Sequence, residues 1–122
     1  MRILIIDCDV ESLKSLRRVL VAMGQDTLAS CDGRRGLDMI REAAPQVVLT
    51  EVLMPDLDGI EIIREIKRVS PSTKVIAMSS GSSAMNREYA LYLAARVGAD
   101  AQLPKPFTTA QLLAAIGTIF PS

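Results

Sequence analysis

Histidine is absent from all 122 residues. That absence removes the imidazole general base, the His metal ligand, the Ser–His and Cys–His nucleophile pairs, and any site for a phosphohistidine. Cysteine is scarce. Cys8 and Cys31 are too few for a disulfide framework, and they read as small reduced hydrophobes rather than as a redox pair. Neither sign of charge is in excess, with 14 Lys plus Arg against 14 Asp plus Glu. Nothing in that balance favours nucleic acid or a membrane surface as a partner. No apolar run approaches membrane-spanning length, and the opening "MRILII" is too short for a signal peptide before it meets an acid. The expectation is a cytoplasmic protein. No glycine-rich phosphate loop follows the first apolar run, where "DCDVES" stands instead.

What is present is one domain's length of chain, residues 1–122, with 49% apolar residues, enough to bury a core. Short apolar runs alternate with stretches of helical period. "ILII" (3–6), "DTLAS" (26–30), "VVLT" (47–50), "VIAM" (75–78) and "AQL" (101–103) read as strands. Between them, Leu13, Leu16, Leu20 and Met23 mark an amphipathic helix closed by Gly24, and Leu37 and Ile40 mark a second. Ile60, Ile63 and Ile66 mark a third, residues 84–97 a fourth, and Leu112, Leu113, Ile116 and Ile119 a fifth. Strands buried on both faces and separated by helices predict an α/β fold, (βα)5, with a parallel sheet and right-handed crossovers.

In a parallel sheet every strand's C-terminal end lies on one edge, where open α/β sheets bind ligands. The first strand ends at Asp7, Cys8 and Asp9. The third ends at Thr50 and Glu51, the fourth at Ser79 and Ser80, and the fifth leads to Lys105 and Pro106. Carboxylates, a hydroxyl and an ammonium are therefore expected to converge. Asp9 is equally suited to capping the following helix. Asp56 and Asp58, after Pro55, read as turn and cap residues.

These positions resemble the response-regulator receiver family, the fold of the bacterial chemotaxis regulator. The matching stretches are "ILIIDCD", "CDGRRGLDMI", "VVLTEVLMPDLDGIEII", "VIAMSS" and "GADAQLPKPF", which together span nearly the whole chain. The resemblance implies a flavodoxin-like, doubly wound sheet in strand order 2-1-3-4-5, with the site where the order reverses between the first and third strands. It implies phosphorelay signalling by protein–protein contact rather than enzymatic turnover. A sensor histidine kinase or a downstream signalling protein is the expected partner, and a homodimer is compatible with it. In the family, an acidic pair, a phosphoacceptor Asp and one backbone carbonyl hold Mg²⁺. The Asp takes a phosphoryl group from the kinase's histidine while the metal and a Lys neutralise charge. A Ser or Thr then binds the phosphoryl group, and an aromatic on the fifth strand swings inward. By that resemblance Asp7 matches the first acid, Leu53 the carbonyl, Ser79 the hydroxyl, Lys105 the lysine, and Pro106 the cis bond that follows it.

Three positions depart from the family pattern. Cys8 stands where the second acid belongs, Glu51 where the phosphoacceptor belongs, and Gln102 where the aromatic belongs. A thiol is a soft ligand, protonated at neutral pH, whereas Mg²⁺ demands hard oxygens. Glu carries its carboxylate about 1.5 Å further out than Asp, and a misplacement of about 1 Å can cost on the order of 100-fold in an in-line attack. Asp7, Glu51 and Lys105 leave one net negative charge, where three acids and a lysine leave two. The expectation is an atypical receiver that requires no cofactor. Mg²⁺ would be held weakly, if at all, by Asp7, Glu51 and the Leu53 carbonyl. Glu51 would reach Lys105 directly and replace the phosphoacceptor, as a partial mimic of a phosphoryl charge of about −1.5 to −2. Two rivals stay open at this point: a receiver still phosphorylated by a kinase, and a flavodoxin-like module for flavin or nucleotide.

The segment "SGSSAMNREYALYLAARV" is longer than most receivers have there, by about one helical turn. Its helix is more apolar than one buried face requires. Ala90, Leu93, Ala94 and Val97 are placed toward the sheet, leaving Tyr89, Leu91 or Tyr92 outward. Tyr89, Tyr92 and Gln102 are the expected partner surface.

Overall fold

Across the described residues, 1–54 and 58–120 of the computed structural model, five strands alternate with five helices. They run β1 (Arg2–Ile6), α1 (Val10–Ala22), β2 (Asp26–Ser30), α2 (Gly33–Ala43), β3 (Val47–Glu51), α3 (Gly59–Val69), β4 (Lys74–Ser79), α4 (Arg87–Arg96), β5 (Ala101–Pro104) and α5 (Thr109–Ile119). All pairings are parallel and the order is β2-β1-β3-β4-β5. This is the flavodoxin-like (βα)5 arrangement expected from the sequence.

The unbroken apolar runs follow from burial on both sheet faces. Successive side chains of a strand point to opposite faces. Leu4 and Ile6 of β1 join Val48, Val75 and Ala77 in a core roofed by α2, α3 and α4. Ile3 and Ile5 join Leu49, Ile76 and Met78 in a second core beneath Leu16 and Leu20 of α1 and Leu112 of α5. Pro104 extends β5 by one residue beyond the expected run. An edge strand tolerates it because no inner neighbour needs its missing N–H.

The sequence misplaces the start of α4. Residues 84 and 85 were expected to be helical, but the Ser82 hydroxyl captures the Ala84 and Met85 amides at 3.2 Å each. Asn86 then caps a helix that begins at Arg87, its side-chain oxygen accepting from Tyr89 N at 2.8 Å. Leu91 also departs from expectation. It is buried with Ala90 and Ala94 rather than turned outward. Among the described residues, no helix is long and apolar enough to cross a membrane.

Candidate functional site

The strand order reverses beside β1, so the C-terminal ends of β1 and β3 form the crevice. β1 delivers Asp7 and β3 delivers Glu51. Lys105 follows β5, with its backbone N–H donating to Ser79 O of β4 at 2.9 Å. Gly59 fixes the end of β3 against the start of α3. A Cβ there would lie 2.3 Å from the Val52 carbonyl oxygen and 2.6 Å from that of Glu51, so only glycine permits this approach.

Lys105 bridges the two acids. Its ammonium donates to Asp7 Oδ2 at 2.6 Å and to Glu51 Oε1 at 3.2 Å. The side chains of Lys105, Asp7 and Glu51 are 12%, 1% and 8% exposed, so solvent screens the triad poorly. Burial alone would lower the lysine's pKa. The hydrogen bond to Asp7 and the charges of Asp7 and Glu51 outweigh it, and the net shift is upward from 10.5.

The remaining carboxylate oxygens are also occupied. Asp7 Oδ1 accepts from Asp9 N at 2.9 Å. Glu51 Oε2 accepts from Val52 N at 2.8 Å and from Leu53 N at 3.3 Å. The Val52 amide is shared, because it also donates to Met78 O. The extra methylene of Glu51 therefore lets the carboxylate fold over the two amides that follow it while keeping contact with Lys105.

Asp9 proves to be a cap. It starts α1 and accepts from Glu11 N and Ser12 N at 3.1 and 3.3 Å. Asp58 caps α3 in the same way, accepting from Ile60 N at 2.9 Å, whereas Asp56 lies outside the described residues. Cys8 is half-buried and Cys31 exposed, and both are free thiols. Burial pushes the Cys8 pKa above its usual value, and the charges of Asp7 and Glu51 add to the rise. Ser79 is fully buried, with its hydroxyl accepting from Gly81 N at 3.0 Å. The Lys105–Pro106 peptide is cis, as the resemblance implied.

This donor set fits Mg²⁺ poorly. A hard cation favours several carboxylate oxygens, but here Lys105 competes for Asp7 and Glu51, Asp9 caps α1 through Oδ1, and the position of Cys8 offers a thiol. Among the described residues, no group of three or more Cys, Asp or Glu could hold a metal ion.

Access is not the obstacle. A cleft of about 630 Å³ opens from Asp7, Glu51 and Lys105 and runs between α1 and α5 to Val19 and Leu112. On another face of the protein, Tyr89 and Tyr92 of α4 are 51% and 55% exposed. Their rings stack with centroids 6.3 Å apart. Gln102 of β5 is exposed, with its amide nitrogen 3.4 Å from Ala99 O. Sequence reasoning missed Arg87, whose Nη1 donates to Lys105 O at 2.8 Å. A charged residue in the first turn of a helix carries no pattern that distinguishes it from a solvated one.

Comparison with known proteins agrees with this fold. The sequence profile of the response regulator receiver domain matches residues 3–117. Response regulator MprA of Mycolicibacterium vanbaalenii is 36% identical over 113 residues, covering 93% of this chain and 47% of the relative. The chain thus spans about half the length of the curated relatives it matches. Among solved structures, a response regulator receiver domain from Clostridium thermocellum aligns with a TM-score of 0.85 at 32% identity, covering 95% of this chain and 90% of the other. The BeF3-activated receiver domain of DrrB aligns with a TM-score of 0.80 at 31% identity, covering 94% and 92%.

Proposed function

The chain belongs to the response regulator receiver family, and from that premise we propose that it signals by protein contact without accepting a phosphoryl group, with Glu51 standing permanently in place of the phosphoacceptor. Receiver domains of response regulators are signalling modules of two-component systems. In this reading residues 1–122 form a single receiver domain, cytoplasmic, that requires no cofactor. It presents Tyr89, Tyr92 and Gln102 to a sensor kinase or a downstream signalling protein.

One observation carries the reading: every carboxylate oxygen of Asp7 and Glu51 already has a partner within the fold. An attacking carboxylate would have to leave Lys105 and two amides, and a metal would have to displace the ammonium from Asp7. Unit charges about 4 Å apart at an effective dielectric of about 20 attract by about 4 kcal/mol before desolvation, and both contacts with Lys105 are shorter than that. Weak Mg²⁺ binding follows from the same competition. The rival reading, a receiver still phosphorylated by its kinase, has the family match and the open cleft in its favour. A flavin or nucleotide module lacks support, because the family match spans the chain and no phosphate-binding glycine loop follows β1.

A beryllofluoride titration with Mg²⁺, followed by amide NMR, tests this. The DrrB domain is described as activated by that phosphoryl mimic. The expected result for this chain is an unchanged spectrum. Widespread shifts spreading from the ends of β1 and β3 would overturn the reading.

A further inference from the structure

We propose that Arg87 is a positioning residue that couples the Asp7–Glu51–Lys105 triad to the tyrosine face of α4. The inference rests on the reading of that triad as the signalling site, and it names the link by which the site reaches a surface.

Lys105 is held at three points. Its N–H donates to Ser79 O at 2.9 Å, its ammonium bridges Asp7 and Glu51, and its carbonyl accepts from Arg87 Nη1 at 2.8 Å. Among these holds, Arg87 alone comes from a helix. It is the first residue of α4, two positions before Tyr89.

The main chain at Arg87 is equally constrained. Gly81 adopts φ +83°, and a Cβ there would stand 2.7 Å from Arg87 N. The loop after β4 is thus pressed onto the start of α4. The same glycine donates its N–H to the Ser79 hydroxyl. A shift of the Lys105 main chain therefore has a short, hydrogen-bonded route into the first turn of α4. The outward side of the guanidinium is occupied by Glu88, at 3.0 Å from Nη2 and 3.2 Å from Nε, which orients the group. On β5, by contrast, the exposed Gln102 reaches no further than Ala99 O, at 3.4 Å.

Coupling between two places is a free-energy difference, measured by asking whether a change at one is felt at the other with the link present and absent. The chain suits that measurement, because its two tyrosines are Tyr89 and Tyr92. With 3-fluorotyrosine incorporated in the full chain, the ¹⁹F spectrum holds only signals from the α4 face.

Glu51→Gln removes one charge from the triad and is expected to shift both signals. In the Arg87→Met background the same change is expected to shift neither. Arg87→Lys, which keeps a donor within reach of the carbonyl, is expected to restore the response; a purely packing role would not predict that. The Arg87 side chain is 37% exposed, so replacement leaves the core intact. Arg87→Ala serves as the same arm should Met not be accommodated.

An undiminished Glu51→Gln shift in the Met or Ala background would overturn the proposal. So would the absence of any shift in the native background. Neither result bears on whether the native chain takes up a phosphoryl group, which is read separately by mass.

Discussion

The ammonium of Lys105 lies 2.6 Å from Asp7 Oδ2, although 98 residues separate the two in sequence. Its contact with Glu51 is longer, at 3.2 Å. The charge at this sheet edge is therefore balanced first between the ends of β1 and β5, with Glu51 as the second acceptor.

Removing the lysine should be costly. Lys105→Met leaves two poorly hydrated carboxylates facing each other. Loss of one member of a buried ion pair typically costs about 3–5 kcal/mol. Urea unfolding of the variant should show a loss of that order, whereas Arg35→Met, which removes an exposed pair with Glu42, should stay within about 1 kcal/mol of the native chain.

Stability should also fall at alkaline pH. The Lys105 pKa is raised above 10.5 in the folded chain, because the hydrogen bond to Asp7 and the two acidic neighbours outweigh burial. Its contribution is whole below the unfolded value and disappears as pH rises through the higher folded value. Unfolding free energies measured on either side of pH 10.5 should decline for the native chain, and less steeply for Lys105→Met. Parallel curves would show that the triad does not carry the dependence.

The two thiols should differ in reactivity. Cys31 is exposed, while Cys8 is half-buried with its pKa raised by burial and by the charges of Asp7 and Glu51. Alkylation by iodoacetamide at neutral pH should label Cys31 first. Cys8 labelling should accelerate only as pH rises above the usual thiol range. Equal rates would contradict the placement of Cys8 against the acids.

Much of this was legible in the sequence because burial on both sheet faces leaves a plain pattern. Short uninterrupted runs such as "ILII", alternating with helical periods, point to strands buried on both faces, and the polar residue ending each run then lies on one edge. The start of α4 was not legible. Ala84 and Met85 are good helix formers, but the Ser82 hydroxyl captures their amides. The sequence left Tyr89, Leu91 or Tyr92 as outward candidates on α4, and the structure exposes the two tyrosines and buries Leu91 with Ala90 and Ala94. At the site, position at the strand ends named the participants but not their ranking. That Asp7 holds the lysine more closely than Glu51, and that Glu51 folds over the Val52 and Leu53 amides, depends on side-chain conformation that no spacing encodes.

The central claim is that Glu51 occupies the phosphoacceptor position without performing its chemistry. Intact-mass spectrometry after incubation with acetyl phosphate and Mg²⁺ at neutral pH, with minimal delay before measurement, tests it most directly. The native chain should show no added phosphoryl mass. Glu51→Asp alone should show little, because Cys8 still supplies no hard ligand. Glu51→Asp combined with Cys8→Asp should show a measurable adduct, because it restores both the shorter carboxylate and the missing acid. A phosphoryl adduct on the native chain, mapped to Glu51, would contradict the account.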